Sequence, residues 1–101
     1  MEKFGKVIEH LRKEGMARRA SWEPGREIVA HRDTGVRREY VPMMTSLPET
    51  AKAKIGRSGS GEITFDNQVL IIRFQDGAKP AEATGYTPTW DDIFAEDWVL
   101  L

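Results

Sequence analysis

What most constrains this chain is its end, where residues 88–101 read Pro-Thr-Trp-Asp-Asp-Ile-Phe-Ala-Glu-Asp-Trp-Val-Leu-Leu. Thr89 and Asp92 stand at the spacing of a capping box. In that device a hydroxyl accepts from the backbone N–H three residues on, and the acid there reaches back to the N–H of the cap. Asp91 and Asp92 also sit where the positive end of a helix dipole favours carboxylates. A short helix is therefore expected to start at Thr89. Trp98-Val99-Leu100-Leu101 follows as a final strand, apolar to its last residue, which needs a surface to dock on.

Phe4, Val7, Ile8 and Leu11 recur at i, i+3, i+4 and i+7, the single apolar stripe of a helix over residues 3–14. Gly15 is expected to end it as a left-handed cap. Residues 16–22 read as a first strand, Pro24-Gly25 as a turn, and residues 28–31 as a short strand broken by Asp33-Thr34-Gly35. In Tyr40-Val41-Pro42-Met43-Met44 the proline argues against a central strand. Residues 48–54 suit a short helix, and the glycine-serine run 56–61 a flexible loop. Residues 62–65 and 68–74, joined by Asp66-Asn67, predict a hairpin. The consecutive apolar residues Val69-Leu70-Ile71-Ile72 imply cover on both faces, by helices on one and a second subunit on the other. Residues 78–87 read as a loop. The resulting fold class is α+β: a small single domain with an N-terminal amphipathic helix packed on an antiparallel sheet, a short C-terminal helix and a final strand.

With 101 residues the chain has room for one domain, small enough that oligomerisation would help its stability. A formal net charge of −1 gives no overall pull toward DNA, RNA or a membrane surface. The absence of cysteine excludes disulfides and thiolate metal sites. The first residues lead into a charged helix, not an apolar leader, and no apolar run reaches membrane-spanning length. A soluble, cytoplasmic protein is the expectation.

Few residues point to catalysis. Asp91, Asp92, Glu96 and Asp97 form an acidic cluster without a nearby His or Cys. They read as a cap, solvated charges and a structural hydrogen bond before they read as a metal or acid–base site, although Asp91 or Asp92 can also accept from a ligand hydroxyl. His10 and His31 lie in separate elements and show no nucleophile partner. The loop 56–61 precedes a strand, whereas a phosphate cradle precedes a helix. Arg18, Arg19, Arg26, Arg32, Arg37 and Arg38 are either a diphosphate clamp or a solvated face balanced by acids. Trp98 reads as a core anchor. Trp22 and Trp90 are open to either packing or stacking on a base.

Pro88, Thr89, Asp92, Ala95, Asp97 and Trp98 fall in register with a Pro-Ser/Thr-x-x-Asp-x-x-Ala-x-Asp-Trp motif. Ala17-Arg18-Arg19-Ala20-Ser21-Trp22, after the helix and its glycine, matches a basic Ala-Arg-x-x-x-Trp-like element. In both the chain resembles the Thoeris anti-defence sponge family, small phage and bacterial proteins that sequester signalling nucleotides. The resemblance implies a homotetramer built from dimers that binds cyclic ADP-ribose isomers, notably glycocyclic ADP-ribose, without degrading them. It implies no enzyme activity and no cofactor. On it, Thr89 and Asp92 match the Ser/Thr-x-x-Asp element of the site, and Arg19 and Trp22 are the phosphate and base candidates. Arg73, Tyr86 (in place of a missing aromatic), Trp90 and Asp91 complete the expected ligand-binding set, and residues 33–61 are expected to be an insertion. Three other readings stand beside this one. They are a sponge for cyclic oligonucleotides, an enzyme acting through Asp91 or Asp92, and a protein–protein inhibitor using Tyr40, Met43 and Met44 as an apolar patch.

Overall fold

The computed structural model describes residues 1–101. In chain order it contains α1 (Phe4–Arg12), β1 (Met16–Arg19), β2 (Glu27–Val36), a 3-10 helix (Arg38–Met43), α2 (Glu49–Gly56), β3 (Ile63–Arg73), β4 (Glu82–Gly85), α3 (Trp90–Phe94) and β5 (Trp98–Leu100). The strands form one five-stranded antiparallel sheet in the order β4-β3-β2-β1-β5, and the fold class is α+β. No helix is long and apolar enough to cross a membrane. The chain divides into two compact units. Met1–Arg32 with Asn67–Leu101 make the first, and Asp33–Asp66 the second.

In the first unit, α1 lays its apolar stripe on β1 and β5. Val7, Leu11, Ala17, Val29, Ile71 and Trp98 form the core, with Phe4, Trp22, Val69, Tyr86, Ala95 and Leu100 packed against it. Ala17 is fully buried because its Cβ faces α1, where a larger side chain would hold the helix off the sheet. The final strand docks as expected. It pairs with β1 in the register Ala17↔Leu100, Arg18↔Val99 and Arg19↔Trp98. On its outer side Glu2 exchanges two backbone hydrogen bonds with Trp98, at 2.7 and 3.1 Å, which caps an edge that would otherwise be open to pairing.

The end of α1 differs from expectation. The left-handed residue is Glu14, with φ 63°, not Gly15. The Gly15 N–H donates to the His10 carbonyl (3.0 Å) and the Glu14 N–H to the Leu11 carbonyl (3.1 Å), which is a Schellman pair shifted one residue earlier. Gly15 is needed for space instead. A Cβ there would collide with the His10 imidazole, whose Nε2 is 2.7 Å from the Leu101 carbonyl oxygen.

Three strand expectations are also corrected. The strand at residues 28–31 does not break at Asp33-Thr34-Gly35, because β2 runs on to Val36. The hairpin at Asp66-Asn67 is not formed, and β3 passes straight through. A two-residue primed turn needs positive φ at its first central residue, and in type I′ at the second as well, whereas here only the second, Asn67 at φ 50°, has it. Residues 78–87 are not all loop, since β4 pairs along β3 from Leu70↔Gly85 to Arg73↔Glu82.

The second unit holds the 3-10 helix, which contains Pro42, the residue that argues against a central strand there, and α2. Val41 is its buried apolar residue, and Lys52 is buried with it. The Lys52 ammonium donates to the carbonyls of Pro42 (3.1 Å) and Met44 (2.8 Å) and pairs with Glu49 at 2.7 Å. A lysine thus satisfies carbonyls that an irregular backbone leaves without ladder partners.

Gly15→Ala is expected to lower stability by about 1–3 kcal/mol through overpacking against His10. Gly5→Ala, in the exposed first turn of α1 where an added Cβ meets nothing within 4 Å, is expected to raise it by about 0.5 kcal/mol, by restricting the unfolded chain. Denaturant midpoints at unchanged slope check both.

Candidate functional site

The site assembles around α3. Thr89 Oγ1 accepts from the Asp92 N–H at 3.1 Å, and Asp92 Oδ2 accepts from the Thr89 N–H at 3.0 Å, so the expected capping box is present. The Asp92 carboxylate does more than cap. Its Oδ2 also accepts from the Tyr86 hydroxyl at 2.7 Å, and its Oδ1 from Arg19 Nη1 at 2.8 Å. Arg19 Nε donates to Asp97 Oδ1 at 2.5 Å, so one guanidinium ties together a carboxylate of α3 and one just before β5. The register Arg19↔Trp98 across β1 and β5 explains this meeting, because it sets Arg19 beside the last residues of the motif.

Aromatic rings enclose the ion pairs. The Arg19 guanidinium carbon lies 5.8 Å from the centroid of the Trp98 ring, within the range of a cation–π contact. Phe4 and Trp22 each meet Trp98 edge to face with centroids 5.6 Å apart, and Trp22 meets Tyr86 in the same way at 6.5 Å. The Trp98 indole N–H donates to the Asp92 carbonyl at 2.9 Å. Arg18 Nη1 donates to the carbonyls of Arg19 and Trp22, both at 3.2 Å, and fixes the turn that carries Trp22.

These partners set the protonation states. Burial works against the charged form of Asp92, but the Thr89 N–H, the Tyr86 hydroxyl and Arg19 outweigh it and hold the carboxyl below the usual range. Burial, and then the adjacent Asp92 carboxylate, push the Tyr86 phenol well up, so it stays a hydrogen-bond donor. The hydrogen bond to Asp97 raises Arg19, against the opposing effect of burial.

The expected site residues therefore fall into two groups. Arg19, Trp22, Tyr86, Thr89 and Asp92 share one network. Trp90, Asp91 and Arg73 take no part in its hydrogen bonds. Trp90 is exposed and stacks on the exposed Phe94, with centroids 5.7 Å apart, and Asp91 faces solvent. Arg73 donates to Glu27 at 3.1 Å and to Thr84 at 3.2 Å along the outer strands. Asp97 was read only as a structural acceptor, and its pairing with Arg19 was missed. So was Phe94. The Asp97 pairing spans 78 positions, and nothing local in the sequence signals it. No group of three or more His, Asp or Glu side chains is placed to hold a metal ion.

The fold and this cluster define a small α+β domain whose C-terminal motif is locked to β1 by an arginine between two carboxylates. The sequence profile of the Thoeris anti-defense 2-like domain matches residues 2–101, and the chain belongs to that family. No curated protein sequence matches it.

Asp92→Asn is expected to cost about 3 kcal/mol, because it leaves Arg19 half-paired among apolar rings. The sign of the pH effect follows from the lowered pKa. The stabilisation by Asp92 is fully present above the unfolded value of about 4 and is lost as pH falls through the lower folded value. Thermal melts from neutral to strongly acid pH should show an acid limb in the native chain and a shallower one in the variant.

Proposed function

We propose that this protein is a sponge. It binds a cyclic ADP-ribose-type immune signal, glycocyclic ADP-ribose in the first instance, holds it unchanged, and so starves a Thoeris effector. It works in the bacterial cytoplasm as a homo-oligomer, a tetramer, with no cofactor and no turnover. The observation that carries this reading is the family match over residues 2–101. The geometry of the cluster supports it.

Sequestration depends on a slow off-rate, and that is favoured by a site already ordered before the ligand arrives. The Arg19, Tyr86, Thr89 and Asp92 network is of this kind, because its donors and acceptors are matched within the protein. The Arg19 guanidinium is already shared between the Asp92 and Asp97 carboxylates. A diphosphate therefore lies away from it, and ribose hydroxyls or an exocyclic amine lie toward it. In this arrangement Arg19, Thr89 and Asp92 position the site. Trp22 and Tyr86 offer aromatic surface to the base, Trp90 and Asp91 approach from the exposed face of α3, and Arg73 donates hydrogen bonds to the phosphates.

Calorimetric titration with glycocyclic ADP-ribose, followed by heat release and chromatography of the ligand, tests the reading. Tight binding and recovery of intact ligand are expected. Trp22→Ala is expected to weaken binding by about tenfold or more, from the loss of a stacking face. Recovery of an altered nucleotide would make the protein an enzyme. The absence of heat would move the search to cyclic oligonucleotides and then to a protein target.

A further inference from the structure

A second feature lies in the same unit as the cluster and takes no part in it. Between α1 and the strands β2 and β3 is a groove of about 150 Å3, lined by Ile8, Leu11, Arg12, His31, Asn67 and Val69. Its floor is apolar. Leu11 is buried and Val69 half-buried, but Ile8, on the apolar stripe of α1, is 49% exposed. The groove is open to solvent on the side of Ile8 and Arg12, and its volume is about that of one six-membered ring.

The rim is polar and of one character. His31 Nε2 is 3.2 Å from Asn67 Oδ1. An amide oxygen only accepts, so in this orientation the imidazole donates through Nε2, and the Asn67 NH2 remains free to donate. Arg12 ends α1 beside it, and its guanidinium makes no hydrogen bond or ion pair within the chain. No acidic side chain lines the groove. Asn67 is also one of the two non-glycine residues with positive φ.

We infer that this groove is a binding site for a small aromatic anion, a six-membered ring carrying one carboxylate or equivalent acidic group. The ring lies on Ile8, Leu11 and Val69, and the anionic group accepts from Arg12 and the Asn67 amide. The site is too small for a cyclic dinucleotide-like signal and is independent of the sponge reading.

Benzoate is the probe, followed by amide NMR on the full chain, with benzamide as the neutral isostere. Saturable shifts centred on Leu11, His31, Asn67 and Val69 are expected. Benzamide in place of benzoate, or Arg12→Gln, should weaken binding about tenfold, the usual share of a charge-assisted hydrogen bond. Val69→Phe fills the groove and should abolish the shifts in a chain whose spectrum stays dispersed. The inference is overturned if no saturable shift occurs up to about 10 mM benzoate, a concentration well above a millimolar dissociation constant. It is equally overturned if benzoate and benzamide bind alike, or if the shifts centre on Trp22 and Asp92. The nucleotide signal is not used, so failure here leaves the sponge reading untouched.

Discussion

A tryptophan with no exposed surface must do two things at once, and the first unit is organised around how Trp98 does them. Its rings need apolar cover, which Phe4 of α1 and Trp22 beyond β1 supply edge to face. Its indole N–H needs an acceptor, which is the carbonyl of Asp92 in α3. One side chain therefore fixes the first helix, the first strand and the last helix relative to one another. The backbone of Trp98 adds to this, because it pairs with Arg19 on one side and Glu2 on the other.

The ion pairs follow from that arrangement. Once Trp98 is seated, Arg19 lies over its ring and between Asp92 and Asp97. Two half-buried carboxylates without a cation would be costly, and so would the guanidinium without them. Together they satisfy one another, and Tyr86 and Thr89 take the remaining acceptor positions on Asp92. Groups that sequence alone offers as ligand contacts, Arg19 and Asp92 above all, are committed to each other. Asp92 also holds the Tyr86 hydroxyl and the Thr89 N–H, and Arg18 the carbonyl of Trp22.

Much of this was legible in the chain. The stripe Phe4, Val7, Ile8 and Leu11 gave α1 because a period near 3.6 has only one structural meaning at that length. Thr89 and Asp92 gave the start of α3, because a capping box is a contact between residues three apart. The motif that ends in Asp97-Trp98 gave the family. The failures share a cause. Asp66-Asn67 and Asp33-Thr34-Gly35 have turn composition, yet both lie inside long strands. β4 has no alternation of apolar and polar residues, because its four residues are all exposed on a sheet edge. Strand extent is decided by the neighbouring strand, and the neighbour is remote in sequence.

By itself, then, the sequence determined what is local, α1, α2, α3 and the capping box that starts α3, and it carried the motif that marks the family. Only the tertiary structure decided which charges meet. Arg19 is one of several arginines in the first forty residues, and Asp92 and Asp97 belong to an acidic cluster that could have paired with any of them. The choice was made by the β1–β5 register, which places Arg19 across from Trp98. An ion pair between residues more than seventy positions apart has no periodicity and no spacing to announce it. It exists because burying Trp98 brings its ends together.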